Sequence, residues 1–282
     1  MTEFDDLDLD KPDAGSDFHE GKRGIRLAAL GAAVLVTAAA LIYIATTRWA
    51  KPRESPVTKA EPAPAAEATV PPVAGERITL PPLAETDPIV RELVRRLSSH
   101  PKVAAWLATR RLIANFTVVT INISEGRTPR VHLRPLVPQA RFRTKQSRGA
   151  LVVDAQSYER YNDYADAVAA LDAEGTARLY ATLKPRIRDA YRELGQPDGD
   201  FDPVLERAIV ELLRTPVVDG DIELRAKTIS YELADPQLES LLAAQKQLLR
   251  MGPRNVRLVQ AKLRAIAASL GIPASRLPRI RS

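Results

Sequence analysis

Cysteine is absent from the 282 residues of this chain. That excludes disulfides, thiolate nucleophiles and Cys-ligated metals together, and it leaves the redox compartment open. Histidine is scarce: His19, His100 and His132 stand far apart, with no HExxH or HxH spacing, so a His-built zinc centre is excluded. Glycine (13) is outnumbered by proline (22). No GxGxxG, no GxxxxGK followed by Ser or Thr, and no GxSxG occurs, so the usual phosphate cradles and the nucleophile elbow are missing. "DGDFDP", residues 198–203, alternates carboxylates. Counted from Asp198, however, its sixth and twelfth positions are Pro203 and Ile209, where an EF-hand needs Gly and Glu. On residue types alone, no catalytic, cofactor-binding or metal-binding residue is expected.

What is present is charge, unevenly placed. Residues 1–24 carry eight acids and three bases, whereas residues 86–282 carry 32 bases and 22 acids, a net +10 within a whole-chain net of +6. Of those 32 bases 26 are Arg, the side chain suited to bidentate pairing with carboxylate or phosphate. Such a balance favours anionic partners without choosing among lipid headgroups, anionic polymers, nucleic acid and acidic proteins.

One long apolar run stands out. "LAALGAAVLVTAAALIYIATT", Leu27–Thr47, has 21 residues and no charge. As a helix it would span roughly 31 Å, about the hydrocarbon thickness of a bilayer. Its length and the acidic segment before it fit an uncleaved anchor better than a cleaved signal peptide. Lys22, Arg23 and Arg26 on one side balance Arg48, Lys51 and Arg53 on the other, so the positive-inside rule gives no orientation. The short N-terminal segment and large C-terminal body favour a signal-anchor with the body exported. Residues 1–24 read as a disordered acidic tail, 25–48 as a transmembrane helix, 49–85 as a Pro/Ala-rich spacer and 86–282 as the globular domain. The spacer, with eight prolines from residue 50, reaches roughly 110 Å if fully extended.

The domain reads as mainly α (α+β): a membrane-anchored multi-helix domain with a small antiparallel sheet. Asp87-Pro88, Asp202-Pro203 and Asp235-Pro236 each look like an Asp cap followed by Pro at the first helical position. Helices are expected over 88–98, 101–109, 111–124, 157–171, 173–194, 202–214, 236–250 and 253–270, the fifth kinked at Pro185. "ARFRTKQSRGALVVD" reads as a β-hairpin turning near Ser147-Arg148-Gly149, and "IELRAKTISYEL" as a strand or hairpin arm. The β-branched run 117–123 would also suit a strand.

Two places could meet an anion or a partner. "SEGRTPRVHLRPL" gathers Arg127, Arg130, His132 and Arg134 in one loop, where they could hold a carboxylate or phosphate or simply pair with local acids. In "QKQLLRMGPRNVRLVQAKLRAIAASLG", Gly252-Pro253 should break two helices, leaving Arg254 and Asn255 beside the free N–H groups of the second. Val256, Val259, Leu263, Ile266 and Leu270 step by 3, 4, 3 and 4, so that helix is occupied with its own core. A DNA-reading helix-turn-helix is disfavoured for that reason and by the exported topology. Tyr158, Tyr161 and Tyr164 fall on one helical face, read as core packing or as a ledge for a sugar ring.

The segments "LPPLAETDPIVREL", "SSHPKVAAWLAT", "HLRPL", "LYATLKPRIRDAYRELG", "TPVVDGDIELRAK" and "AQKQLLRMGPRNVRLVQAKLRAIAASLGIP" resemble a family of bacterial single-pass membrane proteins. The family is catalogued as domain of unknown function 3014, and the resemblance runs from about Leu80 to Pro273. It implies a single-pass bacterial envelope protein of a Gram-negative inner membrane, and with the exported body expected from the anchor layout the C-terminal domain would be periplasmic. It carries over no activity and no site residues. The expected function is a non-catalytic binding, tether or scaffold module, with the lipid bilayer met through Leu27–Thr47 and an envelope protein or anionic polymer as partner. An envelope enzyme or binder acting on an anionic polymer is the alternative, and a cytoplasmic nucleic-acid binder the remote one.

Overall fold

In the computed structural model the described residues are 73–129, 132, 137–196, 199–228 and 230–279. The acidic tail, Leu27–Thr47 and the spacer up to residue 72 lie outside them. No helix among the described residues is long and apolar enough to cross a membrane.

The chain enters as an extended strap, residues 73–82, followed by a short 3-10 turn at Leu83–Glu85. Then come α1 (Asp87–Leu97), α2 (Pro101–Leu107) and α3 (Leu112–Ser124). A first hairpin, β1 (Thr144–Ser147) and β2 (Ala150–Val153), precedes α4 (Gln156–Glu159), α5 (Asn162–Ala169), α6 (Ala173–Glu193) and α7 (Asp202–Leu213). The second hairpin, β3 (Leu224–Ala226) and β4 (Tyr231–Leu233), leads to α8 (Pro236–Glu239), α9 (Ala243–Leu249) and α10 (Pro253–Ser269). The fold is mainly helical, with two small antiparallel sheets where one was expected. An isolated bridge, Val152 to Glu223, and the bond from Val153 N–H to Ile222 O (3.0 Å) join them edge to edge.

Helices α3, α6, α7 and α10 carry the packing. One apolar cluster closes α1, α2 and α3 onto α6 and α7 through Val90, Leu93, Leu112, Ile187 and Phe201. Another seats both hairpins on Leu249, and a third joins Ala165 of α5 to Leu248, Val256 and Val259. The run 117–123 is helical; its buried hydroxyls, Thr117 and Thr120, donate to the carbonyls of Ile113 and Phe116 at 2.9 and 2.8 Å. This back-bonding removes the cost of burying them.

Of the three Asp-Pro pairs, only Asp235 caps its own helix, accepting from Gln237 N–H at 2.7 Å. The Asp87 carboxylate reaches across to the start of α3, taking the N–H groups of Arg111 (2.8 Å) and Leu112 (2.9 Å). Arg111 holds a left-handed φ of 55°, a conformation costing about 1–2 kcal/mol for a residue with a Cβ. Arg91 completes the clasp by donating to the carbonyls of Leu107 and Thr109, both at 2.8 Å. Asp202 likewise serves a neighbour, accepting from Tyr180 Oη (2.5 Å) and Lys184 of α6. Burial, and then the bond to Asp202, raise the Tyr180 hydroxyl far above its usual range, so it stays a donor. Asp87→Ala should lower stability by about 2 kcal/mol, the scale of two lost charge-assisted bonds, and urea unfolding followed by circular dichroism measures it. Asp202→Ala, whose carboxylate is more exposed, should cost less.

Two expected helices are each split in two. The segment expected over 157–171 breaks between α4 and α5, because the Tyr158 carbonyl is claimed by Tyr161 N–H (3.0 Å) and by Asn255 Nδ2 (3.2 Å). The segment expected over 236–250 breaks before α9, where Ala244 N–H donates to Gly126 O at 3.0 Å. Pro185 lies inside α6, which continues through it. Pro185 offers no donor to the Ala181 carbonyl, and the strap settles beside that step: a Cβ on Gly75 would stand 2.5 Å from Thr182 N. Among the described residues, packed structure thus reaches back to Val73, inside the Pro-rich segment.

Candidate functional site

The loop after α3 holds the first set of candidate residues. Arg127 is drawn back onto its own helix: its N–H donates to Asn122 O (2.8 Å), its Nε to Asn122 Oδ1 (3.2 Å), and it pairs with Glu125. His132 Nδ1 meets Asn115 Oδ1 at 3.0 Å. Asn115 Nδ2 donates to Arg110 O at 2.8 Å, which fixes Oδ1 as the acceptor, so Nδ1 of His132 carries the proton. Asn122 and Asn115 are about two helical turns apart, so Arg127 and His132 are pinned to separate places on α3. Arg130 and Arg134 lie outside the described residues.

The second set, at the start of α10, is brought together. Gly252 takes φ +81° and ends α9, and Pro253 opens α10. Asn255, 1% exposed, donates through Nδ2 to Met251 O (2.8 Å), Asn162 Oδ1 (2.9 Å) and Tyr158 O (3.2 Å). Its Oδ1 accepts from Arg254 (2.9 Å), whose other nitrogen meets Asp166 at 2.8 Å. The amide therefore stitches α10 to α4 and α5, and an anion reaching Arg254 must compete with the Asp166 carboxylate. Beside them, burial first and Asp221 second push the Tyr158 hydroxyl up to about 12, so it remains neutral. Among the tyrosines expected on one face, Tyr161 is buried while Tyr158 and Tyr164 are half-buried, and Lys102 Nζ sits 4.5 Å over the Tyr164 ring.

The chain's family can now be set beside this geometry. A family model described as "Protein of unknown function (DUF3014)" matches residues 112–267, just over half of the chain. The chain belongs to the DUF3014 family. In the structure the match runs from the first residue of α3 to Ala267 near the end of α10. It takes in both hairpins and the Asn255 stitch, and leaves out the strap, α1 and α2. Comparison with curated proteins and with solved structures gave no match.

Two further features of this DUF3014 chain were not expected from the sequence. A depression of about 480 Å³ opens between the strap and α6, lined by Glu76, Thr79, Thr182 and Arg186 among others. The two terminal nitrogens of Arg186 donate to Leu80 O (2.9 Å) and Asp189 (2.6 Å), while its Nε is buried and unpartnered. Among the described residues no group of three or more His, Asp or Glu could hold a metal ion. The second is Glu211 on α7, a carboxyl 6% exposed, with Oε1 unpartnered and Arg214 only within 3.9 Å. Burial raises its pKa, and Arg214 only partly offsets that.

A raised folded-state pKa means the native protein binds this proton more tightly than the unfolded chain does. Stability is then lost as pH rises from the ordinary carboxylate range through the raised native value. Glu211→Gln should therefore raise the melting temperature at pH 7–8. The gap to the parent protein should close near pH 4, and thermal melts across that range read it.

Proposed function

We propose that this DUF3014 protein is a non-catalytic tether or scaffold module of the bacterial inner membrane, anchored through Leu27–Thr47 and held off the bilayer by the Pro-rich spacer. The observation that carries the reading is the way the strap is fastened. Glu76 N–H donates to Thr182 Oγ1 (2.8 Å), Arg186 donates to Leu80 O (2.9 Å), and Val73 N–H meets Ser269 O (3.4 Å). The C-terminal part of the spacer is thus bonded into α6 and α10, central elements of the domain, so a load arriving along it is passed to the core. The wide use of Arg, Asp and Tyr in fixed internal clasps supports a rigid module better than a reaction centre. The Arg-rich domain suits an anionic envelope partner, protein or polymer, and the exported topology sets nucleic acid aside.

A reporter fused at the C-terminus tests the topology: alkaline phosphatase should be active there and a cytoplasm-dependent fluorescent protein dark. The reverse pattern would overturn the envelope placement. In-cell crosslinking followed by affinity capture tests the tether role, and recovery of no reproducible envelope partner would count against it.

A further inference from the structure

The two hairpins differ in the charge along their outer edges and in how those edges are used. In the first, Arg148 (φ 50°) and Gly149 (φ 82°) form a two-residue turn with both residues left-handed, the type I′ geometry. The register pairs Lys145 with Val152 and Ser147 with Ala150. The bond from Asp154 N–H to Arg143 O (3.0 Å) sets the parity of the ladder. Residues 143, 145 and 147 face β2, so the backbone groups of Thr144 and Gln146 point away from it. On the far strand of β2 the same parity holds, since Val153 N–H turns outward to Ile222. Among the described residues the N–H and C=O of Thr144 and Gln146 meet no partner. At the opposite edge of the joined hairpins, the outward N–H of Leu233 in β4 is taken by Glu239 Oε2 at 3.0 Å.

The open edge is basic. Arg141, Arg143 and Lys145 alternate and are exposed, so their side chains share one face of the extended chain, and exposed Arg148 follows at the turn. Arg143 spends one nitrogen on Gln156 Oε1 (2.9 Å). The acid opposite Arg143, Asp154, turns its carboxylate to Gln156 N–H at 2.9 Å. We propose that the outer edge of β1 is a docking site for an extended acidic polypeptide, which adds as a further antiparallel strand. Its backbone bonds to Thr144 and Gln146, and its alternate Asp or Glu side chains lie along Arg143 and Lys145. The unused ladder of N–H and C=O groups selects a peptide over other polyanions, because only a peptide backbone returns both donor and acceptor at strand spacing. The charges select an acidic one. This proposal rests on the reading of the chain as a binding module and supplies the chemical class of its partner.

The test uses the full purified chain and a fluorescein-labelled peptide of alternating Glu and Val, read by fluorescence anisotropy at low salt. The parent protein should bind it. Gln146→Pro removes an outward N–H at a position where an edge strand tolerates proline, and should weaken binding about tenfold or more. Lys145→Glu together with Arg148→Glu should do the same. If the proline variant melts early, N-methylation of alternate peptide residues removes the same bonds without altering the protein and should weaken binding equally. Three outcomes overturn the proposal. No binding to the parent protein would leave the basic edge as a guard against aggregation. Binding indifferent to Gln146→Pro and to N-methylation would mean charge attraction alone, and oligo-dT binding as tightly as the peptide would mean a general polyanion surface. None of these touches the in-cell crosslinking result, so the module can survive the loss of this edge.

Discussion

Gly252→Ala should destabilise the protein by about 4 kcal/mol, the sum of a backbone term and a packing term. Gly252 sits at φ +81°, ψ 164°, a region open essentially to glycine alone. A Cβ there would also stand 2.4 Å from Tyr158 Cγ and 2.7 Å from Tyr158 Cβ. Tyr158 cannot retreat freely, because its carbonyl is held by Asn255. Gly149 supplies the control. Its φ is +82°, but a Cβ would meet nothing within 4 Å. Gly149→Ala should therefore cost only the backbone term, about 1–2 kcal/mol. Urea unfolding of the two variants separates the terms, and equal losses would show that the Tyr158 contact is soft.

Phe201→Ala should cost about 3–5 kcal/mol, the range for removing a fully buried aromatic ring. The ring is 1% exposed. It meets Tyr191 edge-on at 5.4 Å and Phe116 at 6.1 Å, so α3, α6 and the start of α7 all lean on it. With total stability of the usual 5–15 kcal/mol, this one substitution could remove much of the margin. Phe201→Leu keeps most of the volume and should lose less than half as much. A calorimetric melt of each variant checks the order.

Which parts of this architecture were legible in the sequence follows from the range of the interactions involved. Local signals held. The hairpin turn near Arg148-Gly149, the break at Gly252-Pro253 and the helix of Val256 and Val259 depend on residues a few positions apart. Long-range polar bonds decided the rest. Asp87 looks like a cap for the helix it opens, and its carboxylate instead serves a helix 24 and 25 residues on. Asn255 reaches back 97 residues to Tyr158 and splits what periodicity reads as a single helix. Pairing partners at such distances leave no trace in spacing. The same holds for the candidate contacts: Arg254 and Asn255 could be named as neighbours, but their tie to Asp166 lies 88 residues away. The basic edge of β1 was written in "ARFRTKQSRG", yet its openness depends on β2 taking one side and nothing among the described residues taking the other.

The clasp built on Asp87 and Arg91 bears on where inheritance and folding draw their borders. The family match starts at Leu112, but Leu112 and Ile113 are covered by Val90, Leu93, Val94 and Leu107, which precede it. At the other end, Ile209 and Leu213 are roofed by Leu270, Ile272 and Leu277, beyond the match. Each such side chain left bare forfeits about 2 kcal/mol, and several together rival a domain's whole stability. The segment matched by the family model is therefore smaller than the unit that folds in this chain. A chain cut to residues 112–267 would leave both apolar faces without their lids.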